Sequence, residues 1–355
     1  MVPNTKVYHL GRSDDMLARR AYVEVIYQGV DITEELSLDL LSFTYTDNAS
    51  GSADDISLVI NDAKRKWISS WAFEQGDTLK ADLVTINWRK EGEVKRLPCG
   101  SFTVDEPEYS GRPSVVNLKA VSTPANSNFM HTKRSKSWKN VTLKQVASDI
   151  SNRYSLTLFF DSKSNPLIKK LEQSDEADAA FLQKLCEDEG FACKITDEKI
   201  ILFNEEEYES KKYIATFKEG SSTVLGYSFK PTLTNTAYAG VSLKYYDAKK
   251  KKTIEYLYTT KEIDKEKDKI IKTNKRVSDV EEAKRLAKST LRNKNKKQLA
   301  ATIELIGDTR ILASCVIKLE DFGIFSGLYY VDKATHSISG YKTTLEIRKV
   351  SGGRK

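Results

Sequence analysis

Histidine is scarce in this 355-residue chain, which carries only His9, His131 and His336. General acid–base catalysis draws on histidine more than on any other side chain, so the usual equipment for hydrolytic chemistry is thin. His336 stands between Thr335 and Ser337, which could suggest a nucleophile dyad. Neighbours on a strand point to opposite faces, however, and a structural or interface histidine is the expectation. No Gly-x-Ser-x-Gly, His-Glu-x-x-His or Gly-rich phosphate loop before a helix occurs. The acidic runs Asp54-Asp55, Glu205-Glu206-Glu207 and Glu281-Glu282 lack a cleft context and read as solvated surface.

Cysteine is equally sparse. Cys99, Cys186, Cys193 and Cys315 make no CxxC pair and match neither a zinc site nor a disulfide framework. Buried free thiols are expected, with no metal and no cofactor. No apolar run approaches the roughly 20 residues of a membrane span, so no membrane anchor is expected. The opening MVPNTKVYHLGRSDDMLARR has no apolar core of signal-peptide length, which leads to the expectation of cytoplasmic synthesis and folding.

The net charge of +7 hints at nucleic acid until it is located. Residues 247–297 hold 18 Lys+Arg against 9 Asp+Glu, a surplus of +9, so the remainder carries −2. The basicity belongs to one segment, not to a dispersed phosphate-binding face, and no sequence-specific nucleic acid is expected.

What is present is strand pattern. AYVEVIYQ, LSFTYT and DISLVIND alternate apolar and polar residues, and GSFTVDEPEYS and SVVNLKAVS follow. Trp67, Trp71 and Trp88 fall among them. They could line a sugar-binding groove, but core or interface packing is the more ordinary use. Beyond Pro124 the period changes. Leu143, Val146, Ala147 and Ile150 keep helical spacing behind a Thr142/Gln145 capping box. SDEADAAFLQKLCEDEGF predicts a second helix capped by Gly190. The basic segment predicts an extended hairpin followed by a helix bearing Val280, Ala283, Leu286, Ala287, Thr290 and Leu291. These patterns divide the chain into a polar arm (1–20), a β domain (21–124), a central α+β domain (125–210), a second β domain (211–246 and 298–350) and a charged insertion with its helix (247–297).

Two short motifs recur in order. Gly76-Asp77-Thr78 returns as Gly307-Asp308-Thr309, and Gly100-Ser101-Phe102-Thr103-Val104-Asp105 returns as Gly327-Leu328-Tyr329-Tyr330-Val331-Asp332. Gly-Asp suits a turn that tolerates positive φ. Gly-x-aromatic-x-Val places two apolar side chains on one strand face. A duplicated β unit is expected.

The C-terminal stretch CVIKLEDFGIFSGLYYVDKATHSISGYKTTLEIRKV resembles the end of the phage late control protein D family, the tail hubs of contractile phages and related particles. The resemblance rests on Phe322, Gly323, Gly327, Tyr329, His336, Gly340, Tyr341, Thr343 and Leu345. KRSKSWKNVTLKQVASDIS and QSDEADAAFLQKLCEDEGF are similar to that family's central helices, and the likeness runs from about Ala21 to Val350. It implies an α+β, mainly β fold: two similar tube-type β-barrel modules with an inserted small α+β unit, forming a trimeric pseudo-hexameric ring. The implied function is a non-enzymatic baseplate hub joining a six-fold tail tube to a three-fold spike. The partners would be a homotrimer, the tail tube protein, a separate spike protein, and tape-measure and baseplate wedge proteins, in a particle released from the bacterial cytoplasm on lysis. Interface candidates are Thr103, Val104 and Asp105, Tyr330, Val331 and Asp332, and Lys249, Lys250, Lys251 and Lys252. The competing reading is a peptidoglycan-binding or cell-wall-degrading tail protein gripping glycan through aromatics of the central unit.

Overall fold

The computed structural model of the chain describes residues 18–124, 128–196, 198–234, 236–247, 251–264 and 268–350. Lys249 and Lys250, and nearly all of the N-terminal arm, lie outside the described residues.

The first region holds β1 (Arg20–Tyr27), β2 (Val30–Asp31), α1 (Thr33–Ser37), β3 (Leu40–Asn48), β4 (Asp55–Asn61), β5 (Thr78–Ile86), β6 (Val94–Ser110) and β7 (Val115–Val121). Alternation decides what each strand buries. Phe43 and Tyr45 on β3, Ile56, Leu58 and Ile60 on β4, and Val116, Leu118 and Ala120 on β7 all face one core.

The central region comprises α2 (Asn128–His131), β8 (Lys133–Thr142), α3 (Leu143–Arg153), β9 (Thr157–Asp161) and β10 (Leu167–Ala177). It continues with α4 (Asp178–Glu189), β11 (Phe191–Ile195), β12 (Lys199–Asn204) and α5 (Glu205–Glu209). Helix α3 starts where its capping box predicts. Thr142 Oγ1 accepts from the Gln145 amide at 3.3 Å, while the Gln145 side chain accepts from the Thr142 amide at 2.8 Å. Gly190 ends α4 in the left-handed conformation, φ +79°. That helix starts four residues later than SDEADAAF suggests. Gln173 Nε2 instead bonds the Glu176 carbonyl and Asp178 Oδ1, both at 2.8 Å, which holds Ser174–Ala177 in β10 against β8. The helices pack Val146, Ile150, Leu182 and Cys186 into a second core.

The last region holds β13 (Ala215–Lys218), β14 (Val224–Pro231), β15 (Gly240–Asp247), β16 (Lys252–Thr259), β17 (Ile270–Thr273), α6 (Val280–Asn295) and β18 (Leu299–Ile306). It ends with β19 (Val316–Glu320), β20 (Gly327–Ile338) and β21 (Lys342–Lys349). The basic segment is a hairpin, β15 on β16 with Asp247 opposite Lys252, and β17 completes its own three-stranded sheet. Helix α6 covers that sheet with Ala283, Leu286, Ala287 and Leu291, the face its spacing predicts, although Val280 stays exposed.

One 13-stranded sheet joins the first and last regions, and its connectivity repeats. The run β3-β4-β7-β6-β5-β1 has the same chain-order pattern as β14-β18-β21-β20-β19-β13 once β15–β17 and α6 are set aside as an insertion between β14 and β18. The equivalence extends to irregularities. Asp105 and Asp332 are each the extra residue of a bulge, between Val104 and Glu106 and between Val331 and Lys333. Leu41 and Leu225 mark a second matching bulge. One difference remains: β1 runs antiparallel to β5, whereas β13 runs parallel to β19.

The second sequence motif therefore holds residue by residue. Gly100 and Gly327 both have positive φ (+112° and +137°), and Phe102, Val104, Tyr329 and Val331 are all buried. The Gly-Asp-Thr match does not hold. Gly76 donates to the Val104 carbonyl, and Val104 returns a bond to Asp77. In the other copy that exchange is made by Ser314 and Cys315 with Val331. Ser314 adopts the left-handed φ, +66°, that Gly76 supplies at +94°. Gly307 instead answers to Asp62, since each donates across the end of a strand pair, β18–β21 and β4–β7, to Tyr341 and Ser114 respectively. A Cβ at Gly307 would lie 2.1 Å from the Tyr341 ring, so this glycine serves close packing.

Candidate interface surfaces and the buried ionic seam

The three regions meet through charge. Lys194 on β11 forms a 2.8 Å ion pair with Asp54 and also pairs with Asp47 on β3. Asp47 Oδ2 accepts from the Ala313 amide at 2.7 Å, so one carboxylate touches all three regions. Behind it lies a second cluster. Arg348 on β21 pairs with Glu209, with Glu205 at 3.5 Å and with Asp332 at 2.8 Å. Arg292 and Lys296, at the end of α6 and just beyond it, reach Glu209 at 2.8 Å and Glu205 at 3.1 Å. Asp54 and Glu205 are thus buried, contrary to the solvated surface their acidic neighbours suggested. Cations distant in sequence make that burial possible, because a charge leaves water only when paired. Asp55, Glu206 and Glu207 stay at least partly exposed.

Burial pushes the Asp54 carboxyl up to about 6, against the opposing pull of Lys194. A carboxyl whose pKa is raised on folding contributes stability that is fully present below its unfolded value and is lost as pH rises through its folded one. The stability of the wild type relative to Asp54→Asn is therefore expected to rise by roughly 2 kcal/mol between neutral pH and about pH 4. Denaturant titrations at a series of pH values measure it. A constant difference would show that folding leaves the Asp54 pKa unshifted.

His336 is fully buried and structural. Its Nε2–H donates to the Ile311 carbonyl at 3.0 Å, so Nδ1 accepts from the Tyr341 hydroxyl at 3.0 Å. Burial lowers its pKa and keeps the ring neutral. Trp67 lies in the core and stacks on Phe73, with its indole N–H on Asp39 at 2.9 Å; Trp88 donates to the Gly307 carbonyl at 2.6 Å. In the central unit Trp138 is buried against Phe181. Trp67 and Trp138 are thus packed in cores, while Trp71 and Trp88 are partly buried. Among the described residues no group of His, Cys, Asp and Glu is arranged to hold a metal, and Cys99, Cys186 and Cys193 are buried free thiols while Cys315 is partly buried.

Of the interface candidates, Val104 and Val331 point into the module cores, and Tyr330 is buried on the opposite face of β20 beside Ala49, Val316 and Arg348. Thr103 is half-buried, Asp105 is exposed, and Asp332 is engaged by Arg348. Lys251 and Lys252 are exposed beside the hairpin tip. Composition gives no sign of the more informative surface, which consists of two unpaired strand edges. Among the described residues strand β14 ends the large sheet, with β18 on one side and no strand on the other. Strand β6 pairs with β5 only as far as Thr103, so among the described residues Glu106–Ser110 have no strand neighbour on that side. Open edges of this kind are sites for another chain.

The fold defined by these features is that of phage tail proteins. The tail protein from Neisseria meningitidis MC58 superposes with a TM-score of 0.69 at 12% identity, over 93% of this chain and 96% of that one. The 43 kDa tail protein of prophage MuSo2 from Shewanella oneidensis gives 0.70 at 12% identity, over 94% and 99%. More particularly, the YQBQ-like family model matches residues 126–348, and the chain belongs to that family. It is 27% identical over 253 residues to a "probable baseplate hub protein" of Escherichia phage 186, covering 67% of this chain and 59% of the relative. It is 32% identical over 163 residues to a protein of the same description from Escherichia phage P2, covering 45% and 39%. The chain thus spans less than two thirds of the length of either phage relative.

Proposed function

We infer that the chain is the central hub of a contractile-tail baseplate, a scaffold without catalytic function. The observation that carries this reading is the repeated strand order within one sheet. Two equivalent β modules per chain, read as tube-type modules, let three chains present six similar units to a six-fold tail tube. The inserted central unit occurs once per chain and leaves a three-fold face for a separate spike protein. A closed homotrimer is an ordinary symmetric assembly. The limits 21–124 and 211–246 with 298–350 for the modules, and 125–210 and 247–297 for the inserted units, follow from the same reading. Asp105, Thr103 and the exposed Lys251 and Lys252 are the surface positions offered to tube, tape-measure or wedge partners. The assembled protein would reside in a phage or phage-like tail particle.

Light scattering with electron-microscopic class averages tests the reading. A trimer with a hexagonal outline is expected. A concentration-independent monomer that digests cell walls would sink it in favour of the wall-directed alternative.

A further inference from the structure

The chain already contains one joint between modules, and its equivalent is missing. Within the chain, β20 pairs with β3 from Lys333–Asn48 to Ile338–Phe43. By the repeat, β14 is the counterpart of β3, and the open half of β6 is the counterpart of the β20 segment that β3 covers. The two unpaired edges are therefore the two halves of a second joint. Burial marks the same deficit. Phe43 is fully buried and Tyr45 is 4% exposed, whereas their counterparts are Tyr227, 50% exposed, and Phe229, half-buried.

We propose that β14 of one copy pairs antiparallel with residues Glu106–Ser110 of β6 in the next copy, in the register that the β3–β20 joint dictates. This rests on the trimeric hub reading and specifies its contact. Transferring that register sets Phe229 opposite Tyr109 where Tyr45 stacks on His336, 6.2 Å between centroids at 19°. Ser228 meets Ser110 where Thr44 and Ser337 place their hydroxyl oxygens 3.5 Å apart. Lys230 meets Glu108 where Thr46 faces Thr335. Lys230 makes no ion pair among the described residues, and Glu108 accepts only from Asn117, at 2.9 Å. Opposite charges directly across strands are favourable. Pro231 and Pro107 also fall opposite each other. Each sits at an open edge, where a strand tolerates proline, and neither ring nitrogen has a hydrogen to give to the ladder at that pair. The contact is head-to-tail, since a different edge is used on each side, and it closes if the rotation closes.

The test is a Ser110→Cys/Ser228→Cys double variant of the full chain, oxidised with diamide, which takes the two thiol hydrogens. Opposed positions in an antiparallel ladder lie within disulfide reach. The expected product on non-reducing gels is a covalent ladder ending at three chain masses, with each single variant remaining at one. Thr44→Cys/Ser337→Cys is the internal control, linking without change of mass. Lys230→Glu is expected to raise the concentration for trimer assembly about tenfold, and adding Glu108→Lys to restore it. A trimer by light scattering whose double variant fails to link overturns this joint and leaves the hub standing. A monomer at every concentration overturns both. Linked products longer than three chains support the joint and overturn the closed ring.

Discussion

Replacing Arg348 with methionine is expected to destabilise the protein by about 3–5 kcal/mol, the range for breaking a buried ion pair from one side. Arg348 is 1% exposed, and its guanidinium spans Glu209, Glu205 and Asp332 while lying 4.4 Å from the centre of the Tyr330 ring. Methionine fills comparable space, so the loss reads charge and not a cavity. Glu205 and Glu209 would keep Arg292, and Glu205 also keeps Lys296. Among the described residues Asp332 makes no other ion pair, and burial already raises its pKa. Adding Asp332→Asn should therefore recover part of the loss, because the two positions share one interaction. Urea denaturation of the two single variants and the double closes the cycle. An Arg348→Met chain as stable as wild type would mean that the seam holds its carboxylates without this arginine.

Trp67→Ala is expected to cost about 3–5 kcal/mol, the usual range for emptying a buried tryptophan site. Trp67 is 1% exposed, stacks on Phe73 at 5.5 Å and 6°, and meets Trp71 edge-on. Asp62 pins the turn by accepting from the Trp67 and Ile68 amides at 2.8 and 3.0 Å. The effect should travel to the open half of β6. The Phe73 carbonyl accepts from the Tyr109 hydroxyl at 2.9 Å, and the Phe73 amide donates to it at 2.8 Å. Hydrogen exchange is the discriminating measurement, with faster exchange expected at 106–110 as well as in the 62–77 connection. Loss of stability without faster exchange at 106–110 would separate the tryptophan core from the strand edge.

The residue pattern foretold more of the fold than of the working surfaces. Thr142 and Gln145 cap the start of a helix and Gly190 its end, and both act on backbone groups within a turn of themselves. The α6 stripe and the alternation of β3, β4 and β7 are likewise local periodicities. The Gly-x-aromatic-x-Val-Asp motif was readable because burial of two side chains and a bulged aspartate constrain the same six positions twice. The Gly-Asp-Thr match misled because a positive φ does not require glycine: Ser314 holds it through an exchange of bonds with Val331. The interface candidates on these strands lie within that motif, and a motif that alternates into the core leaves little of itself on the surface.

By itself, then, the sequence determined the mainly β character, the two capped central helices, the confinement of basic charge to one segment, and the repeat of the Gly-aromatic-Val strand. Each of these depends on neighbours within a few residues. Only the tertiary structure decided that Asp54 and Glu205 are buried, that His336 is a neutral core residue, and which strand edges stay open. Charge burial at Asp47 depends on Lys194, 147 positions away, and an edge is open only relative to every other strand in the sheet. Such properties belong to pairings across the chain, and no local pattern encodes them.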